Sequence, residues 1–246
     1  MEYSVRINGL MVDAVYREED VRDIFLPLLR RLRSLQREKG RRILVMMAAP
    51  PGAGKSTLAS FLESLSRSVP GMTPITVIGM DGFHRRQEYL MSHRAVRDGR
   101  EVEMVKIKGA PVTFDLELLR ERIGRVAAGE ECPWPEYDRL IHNPVEGKIC
   151  VKGRIVLLEG NYLLLDEDGW RELGQYADYT IRITADLDML RERLIARKAA
   201  SGTEYEEAVR FVDSSDLYNA RLCLGRCVEA DLTLRGLRGG GYEVVE

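Results

Sequence analysis

The chain has 246 residues, 45% hydrophobic and 31% charged, with 37 basic and 39 acidic side chains and a net charge of −2. Such a chain buries a sizeable core in one large domain or two small ones, and its balanced charge carries no footprint for nucleic acid or an anionic membrane surface. The four cysteines, Cys132, Cys150, Cys223 and Cys227, form no CxxC pair, the opening MEYSVRING lacks a secretory pattern, and no apolar run approaches the ~18 residues of a spanning helix, so a cytoplasmic α/β protein is expected.

Residues 3–16 read as a short β segment with Asn8-Gly9 as its turn. A helix is predicted from about Glu18 to Lys39, on the period of Val21, Ile24, Phe25, Leu28, Leu32 and Leu35, with Pro27 as a kink and Gly40 as its stop. The apolar run Ile43 to Met47 is a buried strand that runs into APPGAGKST (49–57), and a helix from about Lys55 to Ser66 follows. Pro70-Gly71 marks a turn. Ile75 to Ile78 is a second strand, ending at GMDGFH. Residues 85–112 read as polar and irregular, with one RDG turn. A helix capped by Thr113 or Asp115 runs to about Ala128. CPWPEYDRLIHNP reads as an exposed loop with a short strand. Ile155 to Leu158 is a third buried strand, ending at EGNY, and Tyr179 to Ile183 is a fourth. An arginine-rich helix is expected from about Leu187 to Ala199, then a long helix from about Glu204 to Val228, then short β segments near Leu232 and Val244. Strands that are apolar throughout and alternate with helices imply a parallel sheet covered on both faces. The simplest parse is an N-terminal extension, residues 1–40, followed by one domain, 41–246.

Ala49 to Ser56 fits the phosphate-loop pattern with Ala for the first Gly. The chemistry explains the residue types. Consecutive backbone N–H groups before a helix can point inward as an anion cradle. Gly52 and Gly54 permit dihedrals that a β-carbon forbids, and the helix adds its positive end. Pro51, Gly52, Ala53, Gly54, Lys55, Ser56 and Thr57 are therefore the candidate nucleotide-binding residues, with Lys55 a point charge for the β- and γ-phosphates and Ser56 a hydroxyl for Mg²⁺. Parallel strands deliver their C-terminal ends to one edge, so Asp81 and Glu159 should converge on this loop. One carboxylate can take the proton of an attacking hydroxyl and the other can hold the metal.

APPGAGKST, MDGFH, KGAPVTFD, WPEYDR and LLEGNYLLL together resemble the P-loop kinases that include uridine kinase, phosphoribulokinase and bacterial pantothenate kinase. They are similar in particular to the branch labelled nucleoside/nucleotide kinase family proteins, which contains fructose-transport-associated kinases. The resemblance spans roughly residues 40 to 235. It implies a three-layer α/β sandwich on a mainly parallel five-stranded sheet, with transfer of the ATP γ-phosphate to a small-molecule alcohol. By motif matching it makes Asp81 the base, with Phe83 beside it, and sets Glu159 near the metal. Where uridine kinases carry Tyr after D-x-F, this chain has His84, so the nucleoside contacts do not carry over. Tyr137, Asp138 and Arg139 of WPEYDR approach the acceptor site in the similar kinases, and Lys108 is a candidate for the same pocket. Arg193 and Arg197, four apart on one helix, match lid arginines that stabilise charge on the transferring phosphate. Asp216 and Asn219 match a stretch near the nucleotide, while Cys223 and Cys227 read as buried structural thiols.

These residues add up to an ATP- and Mg²⁺-dependent kinase of a small hydroxyl compound. Nucleoside, sugar, pantothenate-like acid and sugar phosphate stay open as acceptors, and a homodimer is expected from frequency alone. A nucleotide-dependent sensor or switch is the rival reading. A GTPase switch would need a guanine-reading N-K-x-D, which the sequence lacks.

Overall fold

Two strands buried at every position, β3 (Ile43–Ala48) and β9 (Ile155–Gly160), lie side by side at the centre of the molecule. The computed structural model describes residues 1–7, 10–138 and 141–245. In chain order the elements are an antiparallel hairpin of β1 (Glu2–Ile7) and β2 (Leu10–Val15), a helical run α1 over 18–39, β3, α2 (Lys55–Ser68) and β4 (Ile75–Gly79). Next come α3 (Gln87–Ser92), a small hairpin of β5 (Arg94–Arg97) and β6 (Arg100–Glu103), and α4 (Leu116–Ala127). A second hairpin, β7 (Cys132–Asp138) with β8 (Asn143–Val151), leads into β9 and β10 (Tyr179–Ala185). The chain closes with α5 (Leu187–Ala200), a helical run α6 over 205–225, β11 (Leu232–Gly236) and β12 (Tyr242–Val245).

The central sheet has the order β12-β11-β10-β3-β9-β4. β11, β10, β3, β9 and β4 are parallel, as expected, and β12 adds a sixth strand antiparallel to β11. Alternation along β3 divides the core between the two faces. Ile43, Val45 and Met47 pack with α1, α2, α5 and α6, while Leu44, Met46 and Ala48 pack with α4, Trp134, Tyr162 and Trp170. Phe25, Leu28 and Leu32 of α1 join the first of these layers, so the N-terminal segment shares a core with the sheet.

Three local readings change. Pro27 is not inside a continuous α-helix: a π-helical turn, Val21–Phe25, comes just before it, and Pro27 falls in the first turn of the α-helix that follows, where a missing N–H costs little. Within 85–112 the RDG turn closes the β5–β6 hairpin, with Asp98 and Gly99 both at positive φ, the geometry of a tight two-residue hairpin turn. CPWPEYD is a seven-residue strand, and Trp134 in it is fully buried. A bulge between Trp134 and Glu136 interrupts the ladder around Pro135, as a proline inside a sheet demands. The expected Asn8-Gly9 turn lies outside the described residues.

The second hairpin is bolted to the end of β4. Trp134 Nε1 donates to Gly79 O at 2.8 Å, and its ring meets Phe83 edge-on at 4.8 Å. Gly82 lies so close to the hairpin that a β-carbon there would fall 2.0 Å from Pro135 O. Its φ is not the issue; the close approach is. Gly82→Ala is therefore expected to destabilise the fold by about 3 kcal/mol, the upper part of the range for overpacking a buried site, as measured by chemical denaturation.

Candidate active site

The loop between β3 and α2 is shaped by two glycines. Gly52 and Gly54 have φ of 84° and 83°, and at Gly52 a β-carbon would also sit 3.0 Å from Leu194 Cγ and 3.3 Å from Leu190 O of α5. Ala53 is buried, and its N–H donates to Pro50 O at 3.2 Å. Lys55, Ser56 and Thr57 form the first turn of α2, whose free N–H groups and positive dipole end favour an anion.

Glu159 of β9 lies level with Met47 of β3 and Gly79 of β4. It is 8% exposed. A β-carbon at Gly79 would stand in van der Waals contact with it, 3.4 Å from Glu159 Oε1. Ser56 Oγ donates to that oxygen at 2.7 Å, and Lys55 Nζ lies 3.7 Å from Oε2. Burial pushes the Glu159 carboxyl above the usual carboxylate range; Lys55 and the Ser56 hydroxyl pull the other way, and Asp81 adds to the rise. One hydrogen bond and one loose cation thus leave this acid short of positive charge. A hard divalent ion seated by Ser56 and Glu159 would supply it, in the manner of Mg²⁺ sites that combine one or two carboxylates with substrate phosphates.

Asp81 sits in the 3₁₀ turn Met80–Phe83 directly after β4. It borders two cavities. The larger, about 760 Å³, is lined by Pro51, Lys55, Asp81, His84, Lys108, Tyr137 and Arg197, among others. The smaller, about 290 Å³, is lined by Ser56, Glu159, Asp81 and Tyr137, among others. The loop, both acids, His84, Lys108 and Tyr137 therefore meet at one rim of the sheet.

Opposite the loop stands a polar and aromatic wall. His84 stacks on Phe114 at 4.0 Å and meets Tyr137 edge-on at 5.2 Å. Lys108 Nζ donates to Gln87 Oε1 at 2.8 Å and His142 O at 3.1 Å, and lies 5.1 Å from the centre of the Tyr137 ring. Burial lowers the Lys108 pKa, so its charge is poorly solvated where it stands. The buried Tyr162 hydroxyl donates to Gly109 O at 2.5 Å and pins the segment that carries Lys108.

Helix α5 and the start of α6 complete the enclosure. Arg197 and Lys198 line the larger cavity, with Lys198 Nζ 3.7 Å from the centre of the Phe211 ring. Arg193 does not: it is exposed, and its charge is felt at Tyr242 of β12. Spacing four apart aligned the two arginines on one helix, but the extra 40° of rotation per pair is enough to separate their surroundings. Phe83 is likewise displaced from its expected role. It is buried against Trp134 and supports the Asp81 turn rather than lining either cavity. Asp216 and Asn219 do line the larger cavity. Asp138 ends β7, and Arg139 lies outside the described residues. Cys223 is buried, and burial raises its pKa, which suits an inert thiol.

Among the cavity residues that the sequence reading did not single out are Arg6, Asn161 and His142. Asn161 had a signal, since it stands two residues after Glu159 in EGNY. Its Oδ1 and that of Asn219 are buried without a hydrogen-bond partner among the described residues, so each can accept from a ligand.

The raised Glu159 pKa predicts a pH effect on the ligand-free protein. The folded state holds this proton to higher pH than the unfolded chain does, so the contribution of Glu159 to stability falls as pH rises from the ordinary carboxylate value through the raised one. Thermal melts of wild type and Glu159→Gln across that window should show the variant gaining on wild type as pH increases. A difference that is flat in pH would refute this.

Sequence and structure comparisons agree with this geometry. A profile described as "Phosphoribulokinase / Uridine kinase family" matches residues 44–215. The chain is 38% identical over 243 residues to "Uncharacterized protein YggC" of Escherichia coli (strain K12), covering 98% of each. It is 33% identical over 204 residues to a "Putative uridine kinase" of Schizosaccharomyces pombe, covering 80% of this chain and 84% of that one. Among solved structures, a "putative fructose transport system kinase" from Silicibacter sp. TM1040 superimposes with a TM-score of 0.69 at 31% identity, covering 82% of this chain and 98% of that one. On these matches, the chain belongs to the phosphoribulokinase/uridine kinase family.

Proposed function

We propose that the protein is an ATP- and Mg²⁺-dependent kinase that phosphorylates a hydroxyl of a small molecule of the nucleoside, sugar or pantothenate-like kind. The observation that carries this is the meeting of Lys55, Ser56, Asp81 and Glu159 at one rim, two of them bordering a cavity large enough for two small substrates.

Bound Mg²⁺·ATP supplies the electrophilic phosphoryl group and a compact positive charge. The chain does the rest. The amides of Gly52, Gly54, Lys55 and Ser56 and the Lys55 ammonium hold the phosphates. Ser56 Oγ and the Glu159 carboxylate are the groups that would hold the metal. The Asp81 carboxylate accepts the proton of the acceptor hydroxyl and keeps that oxygen in line. Arg197, at the cavity edge, offsets charge on the phosphoryl oxygens, and Arg193 is left without a part in the step. Tyr137, His84 and Lys108 form the acceptor wall, with Arg139 as a further candidate. Asp216 and Asn219 face the same enclosure from α6. No described helix is long and apolar enough to cross a membrane, and four free cysteines fit a reducing compartment, so we place the reaction in the cytoplasm.

Asp81→Asn should retain nucleotide affinity and slow phosphoryl transfer by roughly 10²–10⁴-fold, the usual reach of a general base; unchanged turnover would remove Asp81 from the mechanism. Lys55→Ala should weaken both nucleotide binding and turnover, as read by titration with an ATP analogue and by ADP release. A screen of nucleosides, sugars, sugar phosphates and pantothenate by coupled ADP release tests the reading as a whole. Failure of every acceptor, with nucleotide binding intact, would favour a sensor.

A further inference from the structure

The family match begins at residue 44, yet the cavity includes a residue far upstream of it. Arg6, which pairs with Met11 one rung from the end of the ladder where β1 passes into β2, borders both the larger and the smaller cavity. Among the described residues, those shared by the two cavities are Arg6, Asp81 and Tyr137. An arginine from the first strand therefore stands with the proposed base and the acceptor-wall tyrosine.

The hairpin is held in place rather than lying loosely on the surface. The N-terminal ammonium donates to Tyr16 O at 2.6 Å, tying the first strand to the residue that follows the second. The Tyr16 ring stacks on Phe61 of α2 at 4.0 Å, and Tyr3 meets the same ring edge-on at 5.3 Å. The Tyr3 hydroxyl is 2.8 Å from Ser60 Oγ, also on α2. Helix α2 is the helix that Lys55 and Ser56 begin. The base of the hairpin and the phosphate loop are thus fixed to one helix, which brings the strand that carries Arg6 to the loop's side of the molecule.

Charge argues for what Arg6 holds. Arg6, Lys55, Lys108, Arg197 and Lys198 line the larger cavity. Asp81 and Asp216 are its acids. Among the described residues the larger cavity thus has five cations against two anions, in a chain whose net charge is −2, while the smaller cavity that Arg6 also borders adds Glu63, Glu136 and Glu159. Nucleotide phosphates already have Lys55 from the loop and Arg197 and Lys198 from α5. Lys108 is pinned to the acceptor wall, and Arg6 stands beside Asp81 and Tyr137. Two cations on the acceptor side exceed what a neutral alcohol needs, and a guanidinium is the group best suited to carboxylate or phosphate.

We propose that the acceptor carries an anionic group, carboxylate or phosphate, and that Arg6 of the N-terminal hairpin binds it. This rests on the kinase reading above and adds to it a substrate class and a residue outside the family-matched region.

The test uses inorganic phosphate as the probe, with the nucleotide site first filled by Mg²⁺ and a non-hydrolysable ATP analogue. That first titration reads the kinase proposal alone; no analogue binding there overturns it, and this inference with it. With the γ-position occupied, phosphate should bind wild type saturably, Arg6→Ala about 10- to 100-fold more weakly, the range for a lost charge-assisted hydrogen bond, and Arg6→Lys in between. No saturable binding to wild type, or equal binding to wild type and Arg6→Ala, overturns the anion site. In the acceptor screen, matched pairs such as fructose and fructose 6-phosphate should be used in favour of the anionic member, with Arg6→Ala raising the acceptor KM and leaving the ATP KM unchanged. Preference for a neutral acceptor, or a loss of kcat at unchanged acceptor KM, also overturns it. The Arg6 side chain is exposed, so the variants are expected to fold.

Discussion

Glu159 lies buried at the end of a central strand, with a hydroxyl on one oxygen and an ammonium at a distance from the other. A carboxylate in that position is costly to ionise unless positive charge comes to it. The surrounding architecture is arranged around that deficit. β3 delivers the loop that brings Lys55 and Ser56, β4 passes alongside with a glycine at the level of the acid, and the Asp81 turn adds a second negative group nearby. A parallel sheet makes this possible because neighbouring strands all end at the same edge.

The same edge is then closed by elements that are not strands. The β7–β8 hairpin locks onto Gly79 and Gly82, α5 rests on Gly52, and the N-terminal hairpin is clamped to α2. Each clamp uses either a glycine that lets two backbones touch or an aromatic cluster that fixes an angle. The cavity wall is a short-range consequence of these contacts: His84 is held between Phe114 and Tyr137, and Lys108 is held by Gln87 and a carbonyl.

Much of this was legible in the sequence. Apolar runs at 43–47, 155–158 and 75–78 are strands because a strand covered on both faces has no polar positions to spare, and APPGAGKST is recognisable because its glycines and lysine serve one ligand. Asp81 and Glu159 followed from topology alone. What failed to show did so for physical reasons. Pro133 and Pro135 argued against a strand, since the bulge that tolerates Pro135 leaves no mark in the sequence. Helical spacing paired Arg193 with Arg197 but carries no information about which side the cavity lies on. Phe83 belongs to a motif whose Asp81 borders both cavities, while its own surroundings are core. Arg6 reaches the site through a hairpin separated from it by some forty residues, and no periodicity reports such an approach.

The space a Gly52 side chain would take is filled by Leu194 and the Leu190 carbonyl of α5, so the nucleotide loop and the arginine-bearing helix are fitted to one another like two halves of a joint. A hybrid enzyme built by grafting a foreign lid onto this body would have to import the matching loop as well, or shave the leucine that meets it.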